Sequence, residues 1–136
     1  MSSQGEMASG ACPQCGAANG LRVGQLIRQG KLRWYETVNC DSCNMRSESD
    51  GIGIAPQSLR EKLIASNGVW QVKVNEPKST TTVAKVVRDA LALEMKEAVQ
   101  MAKGLPGVVY TGTKSEANWL IDLLEKSGEQ ALLQEA

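Results

Sequence analysis

Hydrophobic and polar positions follow two different rhythms in the two halves of the chain. In the first half they alternate. Leu21-Arg22-Val23-Gly24-Gln25-Leu26-Ile27-Arg28 and Lys31-Leu32-Arg33-Trp34-Tyr35-Glu36-Thr37-Val38 each read as a strand, with Gln29-Gly30 as the turn that joins them. Residues 45–50 can add a third strand. Pro56 suits a helix start, and a short helix fits residues 59–66, with Leu59, Leu63 and Ile64 on one face and Asn67-Gly68 at its end.

The second half opens on one alternating stretch, Trp70, Val72 and Val74 against Gln71, Lys73 and Asn75, and then turns to helical striping. Thr80 or Thr81 is a candidate cap for a helix striped by Val83, Val86, Val87, Ala90 and Leu91. Met95, Ala98, Val99 and Ala102 stripe a second helix, ended by Gly104-Leu105-Pro106-Gly107. Val108 to Thr111 reads as a strand. Ser115 is a candidate cap for a third helix with Ala117, Leu120, Ile121 and Leu124 inward, which Gly128 ends, and residues 129–134 can close the sheet. The order β-α-α-β-α-β predicts a three-stranded sheet with helices on one face, so the fold class is α+β.

Charge narrows the candidate functions. Lysines and arginines number 15, as do aspartates and glutamates; residues 1–68 carry 7 and 6 of them, residues 69–136 carry 8 and 9. Neither half has the basic excess that phosphate-backbone binding leaves, so nucleic acid is disfavoured as a partner, although a sum of charges is blind to a local patch. The chain has no histidine, which removes the commonest general base. No run approaches the roughly 18 apolar residues that span a bilayer, and the first residues lack the pattern of a secretory leader. The expected location is the cytoplasm, where thiols stay reduced and paired cysteines mean metal more often than disulfides.

The four cysteines carry the clearest chemistry. Cys12-Pro13-Gln14-Cys15 and Cys40-Asp41-Ser42-Cys43 are two Cys-x2-Cys pairs separated by 24 residues that hold the expected hairpin. Each pair is a turn that can aim two thiolates at one ion, and Gly16 and Asn44 follow where left-handed backbone is needed. Cys12, Cys15, Cys40 and Cys43 therefore form a tetrahedral sulfur site suited to one structural Zn2+. The competing readings are a catalytic zinc, which would need a ligand position that four thiolates do not leave open, and a redox pair. A hairpin between two knuckles resembles the zinc-ribbon family over residues 11–50. The chain then divides into a flexible N-terminus (1–10), the ribbon (11–50), a connector with a short helix (51–68) and a C-terminal domain (69–136). Trp34 and Tyr35 are neighbours on a strand and so fall on opposite faces; one should pack on the ribbon, and the other is a candidate partner anchor or a second cover for a thin core.

Within the C-terminal domain, Val83, Lys85, Val87, Arg88, Ala90, Leu93, Lys96, Glu97 and Ala98 resemble the helical hairpin of the C-terminal domain of the bacterial ribosomal stalk protein. Pro106, Gly112, Leu120, Leu124, Glu125 and Gly128 extend the resemblance over about residues 69–134. It implies a surface of the first two helices that recruits translation factors, including elongation factor Tu, with Lys85, Arg88, Lys96 and Glu97 kept; on these helices Lys85, Arg88, Glu94, Met95 and Lys96 are the candidate partner-binding residues. Three features depart from the family pattern. Ala92 and Glu94 stand where the family has glycines around the leucine, and both favour continuing a helix. Thr80, Thr81 and Thr82 replace small or apolar residues and a lysine, and Val99 replaces a later lysine. Read without the resemblance, Lys85, Arg88 and Lys96 are a solvated face, and Trp119, Met95 and Met101 are packing.

These observations point to a protein-binding module without chemistry. Its partner is expected to be another protein, either a toxin, which would make the chain an immunity-type inhibitor, or a translation factor. The alternative from another class is nucleic-acid binding through Arg22, Arg28, Lys31, Arg33, Trp34 and Tyr35, against which Glu36, Asp41, Glu48 and Asp50 weigh. No pair of groups marks an enzyme.

Overall fold

A computed structural model describes residues 5–136. The described residues form an α+β structure, with seven strands in two sheets and four helices among them. The chain divides into two compact units, Met1–Gly68 and Val69–Ala136.

In the first unit β1 (Gly5–Gly10), β2 (Leu21–Arg28), β3 (Lys31–Asn39) and β4 (Arg46–Ile52) form an antiparallel sheet in that order. The turn between β2 and β3 is made as expected. Gln29 and Gly30 both take positive φ, 55° and 75°, the geometry whose twist matches that of the two strands. The flexible N-terminus expected over residues 1–10 is corrected where it can be seen. Residues 5–10 are a strand paired with β2, and residues 1–4 lie outside the described part. Gly-Glu-Met-Ala-Ser-Gly carries one apolar side chain for each face and too few β-branched residues to read as a strand, so its pairing comes from the neighbouring edge. The third ribbon strand runs further than expected, to Ile52.

One face of this sheet is buried. Val23 and Leu32 are almost fully enclosed, and Ala8, Leu21 and Val38 join them. Helix α1 (Gln57–Asn67) supplies Leu59 and Leu63 to the same core as Ala8, Leu21, Val23 and Val38, so the connector helix belongs to the first unit. At about 25 cal/mol per Å2 such leucines contribute roughly 2 kcal/mol each, which a ribbon of this size needs.

In the second unit β5 (Trp70–Val74) is the central strand, flanked by β6 (Gly107–Gly112) and β7 (Leu132–Glu135), both antiparallel to it. Between them run α2 (Thr80–Leu91), α3 (Met95–Lys103) and α4 (Lys114–Lys126). Val72, Val74 and Val109 from the sheet, Val83 and Val87 from α2, and Ala117, Leu120 and Leu124 from α4 make one core. Trp119, outside that stripe, packs at the margin of the core, in keeping with its reading as a packing residue.

Several ends differ from the sequence reading. Ser79, not Thr80 or Thr81, caps α2, its hydroxyl accepting from the Thr82 amide. Thr113, not Ser115, caps α4, in a reciprocal box with Glu116. The last strand begins at Leu132 rather than residue 129, because Glu129 is engaged elsewhere. Its carboxylate accepts from the Lys78 and Ser79 amides at 2.8 and 3.0 Å and ties the chain after α4 to the start of α2. The helix break at Ala92 is sharp despite the residues there. Ala92 takes the left-handed conformation (φ 55°), and Glu94 begins α3 in a capping box with Glu97.

Candidate metal centre and recognition surfaces

Each cysteine pair is a turn built by its own backbone. The Cys12 amide donates to the Ala17 carbonyl at 2.9 Å, and the Cys40 amide to the Met45 carbonyl at 3.0 Å, so the two loops close over the same span of five residues. Gly16 (φ 80°) and Asn44 (φ 62°) take the left-handed step in equivalent places. The first turn follows β1, the second follows β3, and the β2–β3 hairpin between them sets the two loops at the same end of the sheet.

The four Sγ atoms all lie within 4.8 Å of one another. Cys12 and Cys43 sulfurs are 3.7 Å apart, those of Cys15 and Cys40 3.6 Å. A disulfide would need about 2.05 Å. A tetrahedral ion with bonds of about 2.3 Å to sulfur would place its ligands about 3.8 Å apart, and the 3.7 and 3.6 Å separations are compatible with that. The cluster can hold a metal ion. Cys12 and Cys40, the first of each pair, are buried, Cys43 is half-buried and Cys15 is exposed.

At two of the four, backbone amides bring a net lowering of the thiol pKa. The Cys43 amide, opposed by desolvation and helped by the Cys15 side chain, holds Cys40 down at about 7. The Cys15 amide above all lowers Cys12, to whose sulfur the Gln14 amide also donates at 3.4 Å. Cys15 is the counterpart. The Ala17 amide favours its thiolate, but the Cys40 sulfur, desolvation and the remaining sulfurs outweigh it and push the thiol up to about 12. Four sulfurs this close resist holding four negative charges, and a divalent cation removes that resistance.

Trp34 and Tyr35 do fall on opposite faces, and both are half-buried. Trp34 packs against the first core with its indole over Gly51 of β4. Tyr35 lies across Gly24 of β2; a side chain at either glycine would collide with the ring above it. Neither aromatic stands free in solvent.

The other candidate partner residues separate. Lys85, Arg88 and Met95 line one groove of about 460 Å3 between α2 and α3. Glu94 and Lys96 do not line it. Glu94 is occupied as the cap of α3, and Lys96 is exposed elsewhere on that helix. The sequence reading missed most of the groove floor, Ala84, Ala98, Val99 and Ala102, and one rim cation, Lys103. Part of the signal was present: Thr80, Thr81 and Val99, three of the six departures from the stalk pattern, line this groove, whereas Thr82, Ala92 and Glu94 do not.

No protein-family model matches the chain, and no curated protein is significantly similar to it. None of the helices among the described residues is long and apolar enough to cross a membrane.

Proposed function

We propose that the chain is a non-catalytic recognition module in which a structural Zn2+ on Cys12, Cys15, Cys40 and Cys43 holds the first unit, and the α2–α3 groove of the second receives a partner protein. The observation that carries this is the groove. Its lining includes the small apolar Ala84, Ala98 and Ala102 together with the exposed Met95 (58%) and Val99 (45%), and Lys85, Arg88 and Lys103 supply its charge with no carboxylate among the lining residues. Apolar area of this kind is left exposed at a cost in solubility unless something covers it, and cations at the rim set the register of the occupant. Zinc fits better than a harder cation because the donors are all sulfur, and two sulfur pairs, 3.7 and 3.6 Å apart, are close to the edge of a tetrahedral zinc–thiolate site. Four protein ligands also leave no position for a reacting water, which supports a structural role.

The groove lies on the two helices through which the stalk resemblance implies contact with translation factors, so elongation factor Tu is the first partner to try. Thr80, Thr81 and Val99 give the floor a different chemistry from the family pattern, which supports a narrower choice among such factors. The direct test is calorimetric titration of the zinc-loaded full chain with purified elongation factors, beside a Val99→Glu/Arg88→Glu variant. Micromolar binding that the variant weakens at least tenfold supports the reading. Equal binding by both proteins, or none to any factor, rejects it.

A further inference from the structure

The even balance of charge in the first unit conceals a sorting by strand register. Side chains on a strand alternate between faces, and in this sheet the face with Ala8, Leu21, Val23 and Val38 is turned into the core shared with α1. The pairings place Gly24 opposite Tyr35, Arg22 opposite Thr37, Leu26 opposite Arg33 and Arg28 opposite Lys31, all on the other, outward face. Arg46 reaches that face from β4, opposite Asn39. It thus carries five cations. Glu48 and Asp50 on edge strand β4 oppose them and Asp41 pairs with Arg46 at 3.5 Å, while Glu36 is directed to the core side by the same alternation and Glu6 lines a depression beside Tyr35. Among the described residues no carboxylate pairs with Arg22, Arg28, Lys31 or Arg33.

The middle of this face is aromatic and hollowed. Tyr35 lies flat against the sheet over Gly24, with a depression of about 270 Å3 on one side and one of about 350 Å3 on the other. The first is lined by Asn19, Arg22, Thr37 and Asn39 beside the ring, so polar groups that can donate and accept surround a planar apolar surface. The cations stand along the strands on either side, and same-face neighbours on one strand are about 7 Å apart.

We propose that this face binds single-stranded nucleic acid, with a base stacked at Tyr35 and the backbone phosphates on Arg22, Arg28, Lys31 and Arg33. Charge complementarity selects the occupant. An extended polyanion lying along β2 and β3, away from Glu48 and Asp50 on β4, meets Arg22, Arg28, Lys31 and Arg33, and a flat ring between polar hollows suits a base, which has both a π-face and hydrogen-bonding edges. A duplex would present its bases already stacked and leave Tyr35 unused. The site is separate from the α2–α3 groove, so the two readings stand or fall independently.

The test is fluorescence anisotropy of the zinc-loaded full chain with labelled 12-nucleotide RNA and DNA strands of mixed sequence, from 50 to 300 mM salt. Binding should weaken with salt with a log–log slope of about −3, the value for four phosphates on a single strand. Arg22→Glu/Arg28→Glu/Lys31→Glu, three exposed positions, should abolish it with the circular dichroism spectrum unchanged. Tyr35→Ala should weaken it roughly tenfold while Tyr35→Phe keeps it, as stacking requires. The proposal is overturned by absence of binding to both strands at 50 mM salt, by full binding in the triple variant, or by a matched duplex or poly-glutamate competing as well as the single strand does.

Discussion

Ala92 shows how little a residue's own preference decides once its neighbours are placed. It sits at the end of α2 with φ 55°, a conformation that costs an L-residue about 1–2 kcal/mol. Nothing local favours it; the next residues do. The Leu93 amide donates back to Arg88, and Glu94 and Glu97 satisfy each other's backbone, so the chain must turn between two helices that are each closed. Ala92→Gly should therefore raise the unfolding free energy of the second unit by about 0.5–1 kcal/mol, the relieved strain less the extra freedom glycine gives the unfolded chain. A urea titration followed by tryptophan emission measures it, and a variant less stable than the parent would contradict this account of the turn. The same logic makes Gly24 and Gly51 dependent on their partners. Each leaves room for a ring on the next strand, so both glycines are legible only once the register puts Tyr35 and Trp34 beside them.

At the level of the element, helix α3 has nine residues and a single buried side chain, Ala98. A helix that short is marginal on its own, and its two fixed points are the Ala98 contact and the Glu94 cap. Glu94→Ala removes the side chain that accepts from the first turn, at a cost of about 1 kcal/mol. The expected result is faster amide exchange from Met95 to Val99 with α2 and α4 unchanged, together with weaker partner binding at the groove although Glu94 does not line it. Exchange that rises equally across the second unit would mean that α3 does not open by itself. The stripes of α2 and α4 were readable because long runs of apolar residues at helical spacing face one core. The caps were not, since Ser79, Thr80, Thr81 and Thr82 all carry a suitable hydroxyl and only the pull of Glu129 on the Lys78 and Ser79 amides fixes which of them closes the helix.

Across the whole molecule, what the sequence made plain and what it hid divide along the same line. The metal cluster was legible because Cys12, Cys15, Cys40 and Cys43 are unlike any other residues in the chain and their turns are set locally by Gly16 and Asn44. The two candidate recognition faces were legible only in part: Arg22, Arg28, Lys31, Arg33 and Tyr35, and Lys85, Arg88 and Met95, stood out by type, but which of their neighbours share a face with them shows only when β2 meets β3 and α2 meets α3. This division also governs stability. The first unit gathers Ala8, Leu21, Val23, Val38, Leu59 and Leu63 around the thiol cluster, and Cys12 and Cys40 are part of that core. The second unit has a core of its own that contains no cysteine. Metal withdrawal leaves the first core with two knuckles that no longer share an ion, whereas the second loses nothing. Elemental analysis should give one zinc per chain. A strong thiol-competing chelator should abolish the slow-exchanging amides of β2 and β3 while those of β5, α2 and α4 keep their protection, and added zinc should restore the first set. Loss of protection in both units on chelation would show that the second core depends on the ion, and unchanged protection in β2 and β3 would show that the ribbon stands without it.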